Sequence, residues 1–189
     1  MMSVYAALLR GINVGGNHRV NMGELKKTME EAGYTDVQTY IQSGNVLFKS
    51  NFPEDGLAVA LEELLEKRFG FPMPVILRTA RQLQEILDHV PYTAKEIEAA
   101  QTKSGVESLH IILLNTPPTE KALEKAKALP ECEDRFNVRE RDIYLLLENG
   151  VHRSKMAERL SKISEAATMR NINTMKILAQ MANDPKWQK

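Results

Sequence analysis

The sequence predicts an α+β fold, with a ferredoxin-like βαββαβ unit followed by a second, incomplete repeat of the same order and C-terminal helices. Three observations carry this expectation. Strand-length apolar runs alternate with amphipathic stretches over the first half in the order β-α-β-β-α-β. The same order restarts at Leu109. At 189 residues the chain is also about twice the length one such unit needs, so a degenerate duplication accounts for it economically.

Each element has a local reason. Residues 4–9 are a short apolar run, consistent with a buried strand. A Gly/Asn loop follows as far as Val20. Asn21 and Glu24 then have capping-box spacing ahead of Leu25, Met29 and Ala32, which share one helical face, and Gly33 ends the helix. Residues 37–41 and 46–49 read as two strands of a hairpin joined through Ser43-Gly44-Asn45. Pro53 opens an amphipathic helix through Leu57, Leu61, Leu64, Leu65 and Phe69, stopped by Gly70. A strand at 74–77 and a helix at 80–89, closed before Pro91, complete the first unit.

The second half gives a strand at 109–114, a helix at 120–129, a strand at 135–138 and its hairpin partner at 143–147. Ser154 can cap a helix through Met156, Leu160 and Ile163. In place of a last strand the chain offers TMRNINT and a helix of Met175, Leu178 and Met181, so the repeat reads as incomplete. The expected division is 1–92 and 93–189, with residues 91–105 as the boundary; one compact body is the alternative.

Composition sets outer limits. With 43% hydrophobic and 26% charged residues the chain belongs with globular proteins. Twenty-five basic residues balance twenty-five acidic ones, which argues against a dedicated nucleic-acid or membrane protein. Residues 151–189 are nevertheless basic and 51–100 acidic, a pattern read first as solvated faces. One cysteine, Cys132, excludes a disulfide framework, and its neighbours Glu131 and Glu133 disfavour a reactive thiolate. The first apolar run is too short to span a bilayer and has no basic segment before it, so a reduced, cytoplasmic setting is expected.

Three polar islands stand out: LRGINVGG at 9–16, YIQSGN at 40–45 and TMRNINT at 168–174. Connectivity brings the first two together. If strand one runs up, its helix returns and strand two runs up, so the loop at 11–20, the turn at 42–45 and the connection at 70–73 share one end. The N-terminus of the first helix lies there too, and its amides and partial positive charge suit an anion. Arg10 and Arg19 supply charge-assisted donors, Gly11, Gly15 and Gly16 permit close backbone approach, and Asn13, Asn17, Gln42 and Asn45 offer donors and acceptors beside Ser43. Arg170 and Asn171 are the candidates from the third island.

Each choice has a plainer reading. Gly and Asn are what turns select, Asn171 or Asn173 can cap the last helix, and Arg170 can pair with a carboxylate. GINVGG is neither a Walker loop nor GxGxxG. The four histidines, His18, His89, His110 and His152, show no metal-ligand spacing. His18 alone sits where acid–base chemistry is conceivable. The sequence names no catalytic residue and leaves open whether a reaction is catalysed; no metal or cofactor is expected.

The combination YAALLRGINVGG, VQTYIQSGNVLF and TMRNINTMKILAQ resembles the bacterial domain-of-unknown-function family 1697 over essentially the whole chain. Ile172 stands where that family's RN-x-NT segment is expected to carry an aromatic. The resemblance implies a cytoplasmic α+β protein and brings no activity, substrate or site residue with it.

The functional expectation is a binding protein for a small anionic or nucleotide-like ligand. A single-stranded RNA-binding module and an enzyme of unknown reaction are the alternatives, and a structural or oligomeric role is a third. Membrane partners are not expected, and oligomeric state is left open.

Overall fold

The computed structural model describes residues 2–16, 18–128 and 133–188, so Asn17, Leu129, Glu131 and Cys132 lie outside the described residues. The chain divides into two compact units: residues 1–85 with 177–189, and residues 86–176. The residues expected to form the boundary, 91–105, belong to the second unit instead.

In the first unit, β1 (Ser3–Leu9), β2 (Thr35–Tyr40), β3 (Asn45–Ser50) and β4 (Val75–Thr79) form a sheet of order β2-β3-β1-β4. Every neighbouring pair is antiparallel, as a βαββαβ path requires when its first and third strands sit side by side. Two helices, α1 (Met22–Glu31) and α2 (Glu54–Phe69), interleave with the strands. Alternation along the strands decides what they cover. Tyr5, Ala7 and Leu9 of β1, Phe48 of β3 and Leu77 of β4 share one buried cluster with Leu25 and Met29 of α1 and Leu61 and Leu65 of α2. Burying a side chain such as Phe48 contributes about 1.5–3 kcal/mol. The alternate residues Ala6, Leu8, Leu47 and Ile76 are buried as well, so both faces of the central strands are dry.

The ends of these elements follow the expected chemistry. Asn21 caps α1 by accepting from Gly23 N and Glu24 N, while the Glu24 carboxylate pairs with Arg68. Gly70 ends α2 with φ 81°, the left-handed conformation that favours glycine. Glu62 of α2 accepts from Val75 N at 2.8 Å and holds the start of β4. The chain then enters α3 (Ala80–Asp88), where Thr79 Oγ1 accepts from Gln82 N.

The second unit repeats the path: β5 (Leu109–Leu114), α5 (Glu120–Lys127), β6 (Arg135–Arg139), β7 (Asp142–Leu146), α6 (Lys155–Ser161) and β8 (Ala167–Asn171), with sheet order β6-β7-β5-β8. The second repeat is therefore not incomplete. Its last strand is ATMRN, paired with β5 from His110↔Asn171 to Leu114↔Ala167. It escapes a hydropathy reading because Thr168 and Arg170, at 6% and 8% exposed, are buried despite being polar.

Before this repeat comes α4 (Ala94–Ser104), a helix in the stretch read as a boundary. Thr93 and Glu96 form a complete capping box. Glu96 also accepts from Arg135 Nη1 at 2.7 Å, and these bonds draw its carboxyl down to about 2. One face of the sheet packs Ile112, Leu145 and Leu114 against Met156 and Leu160 of α6. On the other face, Leu109 and Leu146 gather with Ala100 and Ile97 of α4 and with Ile172. Last comes α7 (Ile172–Ala182), started by Asn171, whose Oδ1 accepts from Thr174 N at 2.8 Å. The C-terminal segment belongs to the first unit. There Trp187 is 8% exposed, its indole donates to Met181 O, and Lys186 reaches Gln38 on β2.

Candidate functional site

The three segments that connectivity assigns to one end of the first unit meet there. Leu9 N donates to Gly44 O at 2.8 Å and Arg10 N to Pro74 O at 3.0 Å, so the end of β1 is clasped from both sides. Beyond it, Ile12 turns inward and is 2% exposed. Asn13 then closes the loop on itself, since its N donates to His18 O at 3.1 Å. Its side chain does more. Oδ1 accepts from Val20 N, and Nδ2 donates to Val20 O and to Gln42 O. One carboxamide thus holds the glycine loop shut and ties it to the β2–β3 turn. Asn13 has φ 55°, a left-handed conformation that asparagine tolerates better than most residues.

The turn is built as tightly. Gly44 has φ 81°, and a Cβ there would stand 2.8 Å from Ile12 Cδ1 and 2.9 Å from Leu9 Cβ. Asn45 is fully buried, with Nδ2 donating to Tyr40 O and Ser43 Oγ. It shapes the turn and presents nothing to solvent. Ile41, a β-branched residue at φ 47°, is half exposed at the tip. Such a residue is strained there, at about 1–3 kcal/mol. From the third segment, Phe71 stacks on the His18 ring with centroids 4.3 Å apart and planes 13° from parallel.

The predicted residues therefore separate by role. Asn13, Gly44, Asn45 and Ser43 hold the segments together. Gly11, Gly15, Gly16, Arg19 and Gln42 are exposed, and Arg10 is half-buried. Gly15 and Gly16 have φ 63° and 82°, with nothing within 4 Å of where a Cβ would stand. The first helix contributes less than its dipole suggested. Its Gly23 and Glu24 amides are already bonded to Asn21 Oδ1, and an acidic residue occupies its first turn. Asn17 lies outside the described residues.

Arg170 and Asn171 belong to the second unit. Arg170 is buried on β8 opposite Ile111, and its Nη1 donates to Thr168 Oγ1 at 2.7 Å and Met169 O at 2.9 Å. Desolvation brings this guanidinium down to about 10. Asn171 is the helix cap already described.

A further concave surface in the second unit was not expected from the sequence. It is a cleft of about 570 Å³ that includes His110, Asn149, His152 and Arg153. Nothing in the spacing of these residues announced it; Asn149-Gly150 after the β7 run was the one local cue to a turn. Among the described residues there is no group of three His, Cys, Asp or Glu side chains able to hold a metal ion. No helix among the described residues is long and apolar enough to cross a membrane.

The sheets and loops define an α+β protein of two four-stranded antiparallel sheets with interleaved helices, whose first unit carries a built loop cluster at one end. Residues 2–144 match the sequence model of the family described as Protein of unknown function (DUF1697), and the chain belongs to that family. A conserved bacterial protein, SP0830 from Streptococcus pneumoniae, has the same fold. Its TM-score is 0.75 at 23% identity, over 97% of this chain and 100% of the other. No curated protein matches the chain.

Proposed function

We propose that the loop end of the first unit binds a small anionic or nucleotide-like ligand. The observation that carries this reading is the Asn13 carboxamide, which bonds at once to Val20 and to Gln42. Those bonds fix the glycine loop before any ligand arrives, and a preformed loop removes much of the ordering cost of binding. Gly15 and Gly16 then stand exposed with clear space around them. Arg10 and Arg19 flank the same loop and supply the bidentate donors that carboxylates and phosphates select. The loop amides serve here, because those of α1 are bonded to Asn21.

The reading is of binding, without a reaction. His18 is the one histidine at this end, and its ring stacks on Phe71. An RNA-binding sheet is less well supported, since a stacking platform needs an open face. Both faces of β1 and β3 are buried. A reduced, cytoplasmic setting belongs to the same reading and rests on the lone cysteine of the sequence.

Thermal unfolding of the full chain against inorganic phosphate, AMP and ATP tests it. A binder of the folded state raises Tm saturably by mass action, and Arg10→Ala is expected to diminish the rise. A wild-type Tm unmoved by all three, or an equal rise in Arg10→Ala, refutes the reading.

A further inference from the structure

Within the second unit, the chain leaves β7 through Asn149-Gly150 and makes one 3₁₀ turn, Val151–Arg153, before Ser154 caps α6. Gly150 is forced there. Its φ is 77°, and a Cβ would stand 2.8 Å from Val106 Cγ2. This close approach presses the turn against the segment leading into β5, and the cleft of about 570 Å³ is lined by both. Its volume is that of a small-molecule site. A smaller cleft of about 380 Å³ shares Val151, His152 and Arg153 and adds Lys155.

Two carboxylates line these clefts: Glu158 is paired with Lys162 Nζ at 2.8 Å, while Glu107 accepts from Asn173 Nδ2, a neutral donor that does not offset its charge. By contrast, the side chains of His152, Arg153 and Lys155 have no hydrogen bond or ion pair among the described residues. An unpaired guanidinium is always charged and presents a planar fork of donors.

The cleft also holds a buried group with an unmet need. His110 projects from β5 on the same face as Ile112 and is 8% exposed, yet its Nδ1 has no hydrogen-bond partner. Buried polar atoms in native proteins are nearly always satisfied, and an exception calls for an explanation. A metal does not provide it, because no three-ligand group exists among the described residues. Val106, 53% exposed, gives the same cleft an apolar surface.

We propose that this cleft binds a small organic anion of nucleotide size. Arg153 and His152 hold its anionic group, Val106 packs against its apolar part, and His110 supplies the buried polar contact. The site is independent of the loop end of the first unit.

The test is NMR of the full chain, following the imidazole C–H signals of His110 and His152, assigned with His110→Gln and His152→Gln. AMP and inorganic phosphate are titrated separately. AMP is expected to shift both signals saturably, with inorganic phosphate at least tenfold weaker. Arg153→Gln, an exposed change that leaves the fold intact, is expected to weaken AMP binding about tenfold, and Arg10→Ala to leave the shifts unchanged. No shift with AMP overturns the proposal. So do equal affinities for AMP and phosphate, which would show an anion subsite only, and so does a response that survives Arg153→Gln but vanishes in Arg10→Ala.

Discussion

Asn13 Nδ2 donates to the carbonyl of Gln42 at 2.8 Å, joining two loops that lie far apart in sequence. With its two bonds to Val20, the same side chain makes three contacts at a left-handed backbone position. Asn13→Ala removes all three and leaves a Cβ-bearing residue at φ 55°. At about 1 kcal/mol per hydrogen bond and a comparable backbone cost, it is expected to destabilise by about 2–4 kcal/mol in urea unfolding. Asn13→Asp keeps the acceptor for Val20 N but turns an oxygen toward two carbonyls. It should be destabilised as well; an unchanged midpoint in Asp would show that the donor contacts are not what holds the loop.

Two glycines at this end separate packing from backbone strain. Gly44→Ala places a methyl 2.8 Å from Ile12 Cδ1 at φ 81°, so clash and strain add to about 2–4 kcal/mol. Gly15→Ala meets nothing within 4 Å at φ 63° and is expected to cost about 1–2 kcal/mol, the left-handed penalty alone. Paired denaturation curves check the order, and a Gly15→Ala variant as unstable as Gly44→Ala would contradict the loop geometry.

His110 gives the second unit a pH dependence of known sign. Desolvation is the largest influence and holds its pKa below the ordinary 6.5, against the raising effects of the Ser108 backbone and Glu107. The unfolded chain therefore binds the proton more readily. The contribution is fully present above pH 6.5, falls as pH drops below 6.5, and levels off below the folded-state pKa. His110→Gln should flatten that part of the stability profile. A wild-type profile flat from pH 7 to 5, with carboxylate effects removed by comparison with the variant, would show that His110 is not desolvated.

Trp187 is the one tryptophan of the chain, and it reports on the first unit. It is 8% exposed, with Lys49 and Lys186 5.8 and 5.7 Å from its ring centroid. Native emission should be blue-shifted and poorly quenched by acrylamide, with both properties lost on unfolding. Red-shifted, readily quenched native emission would contradict the docking of the C-terminal segment.

Most of this fold was legible because strands and helices here announce themselves by periodicity and caps. Residues 109–114 are apolar apart from His110, and Asn21, Thr119 and Ser154 each cap the helix they precede. Two elements were not legible. Helix α4 carries a capping box at Thr93 and Glu96, but it buries only Ala100 fully, so its hydrophobic signal is faint. Strand β8 hides because its buried residues include Thr168 and Arg170, satisfied by each other and by the backbone. The meeting of the loops at one end followed from connectivity alone. The division between scaffold and surface did not, because an asparagine that braces a turn and one that faces solvent are the same letter. The His110 cleft had no pattern at all, since burial and an unpaired nitrogen are properties of packing.

The most direct test of the proposed ligand site is an amide-resolved NMR titration of the full chain with AMP. The account predicts saturable shifts of the Gly15 and Gly16 amides together with Arg10 and Arg19, diminished in Arg10→Ala. Amides of the 10–20 loop that stay unmoved at saturating AMP would contradict it.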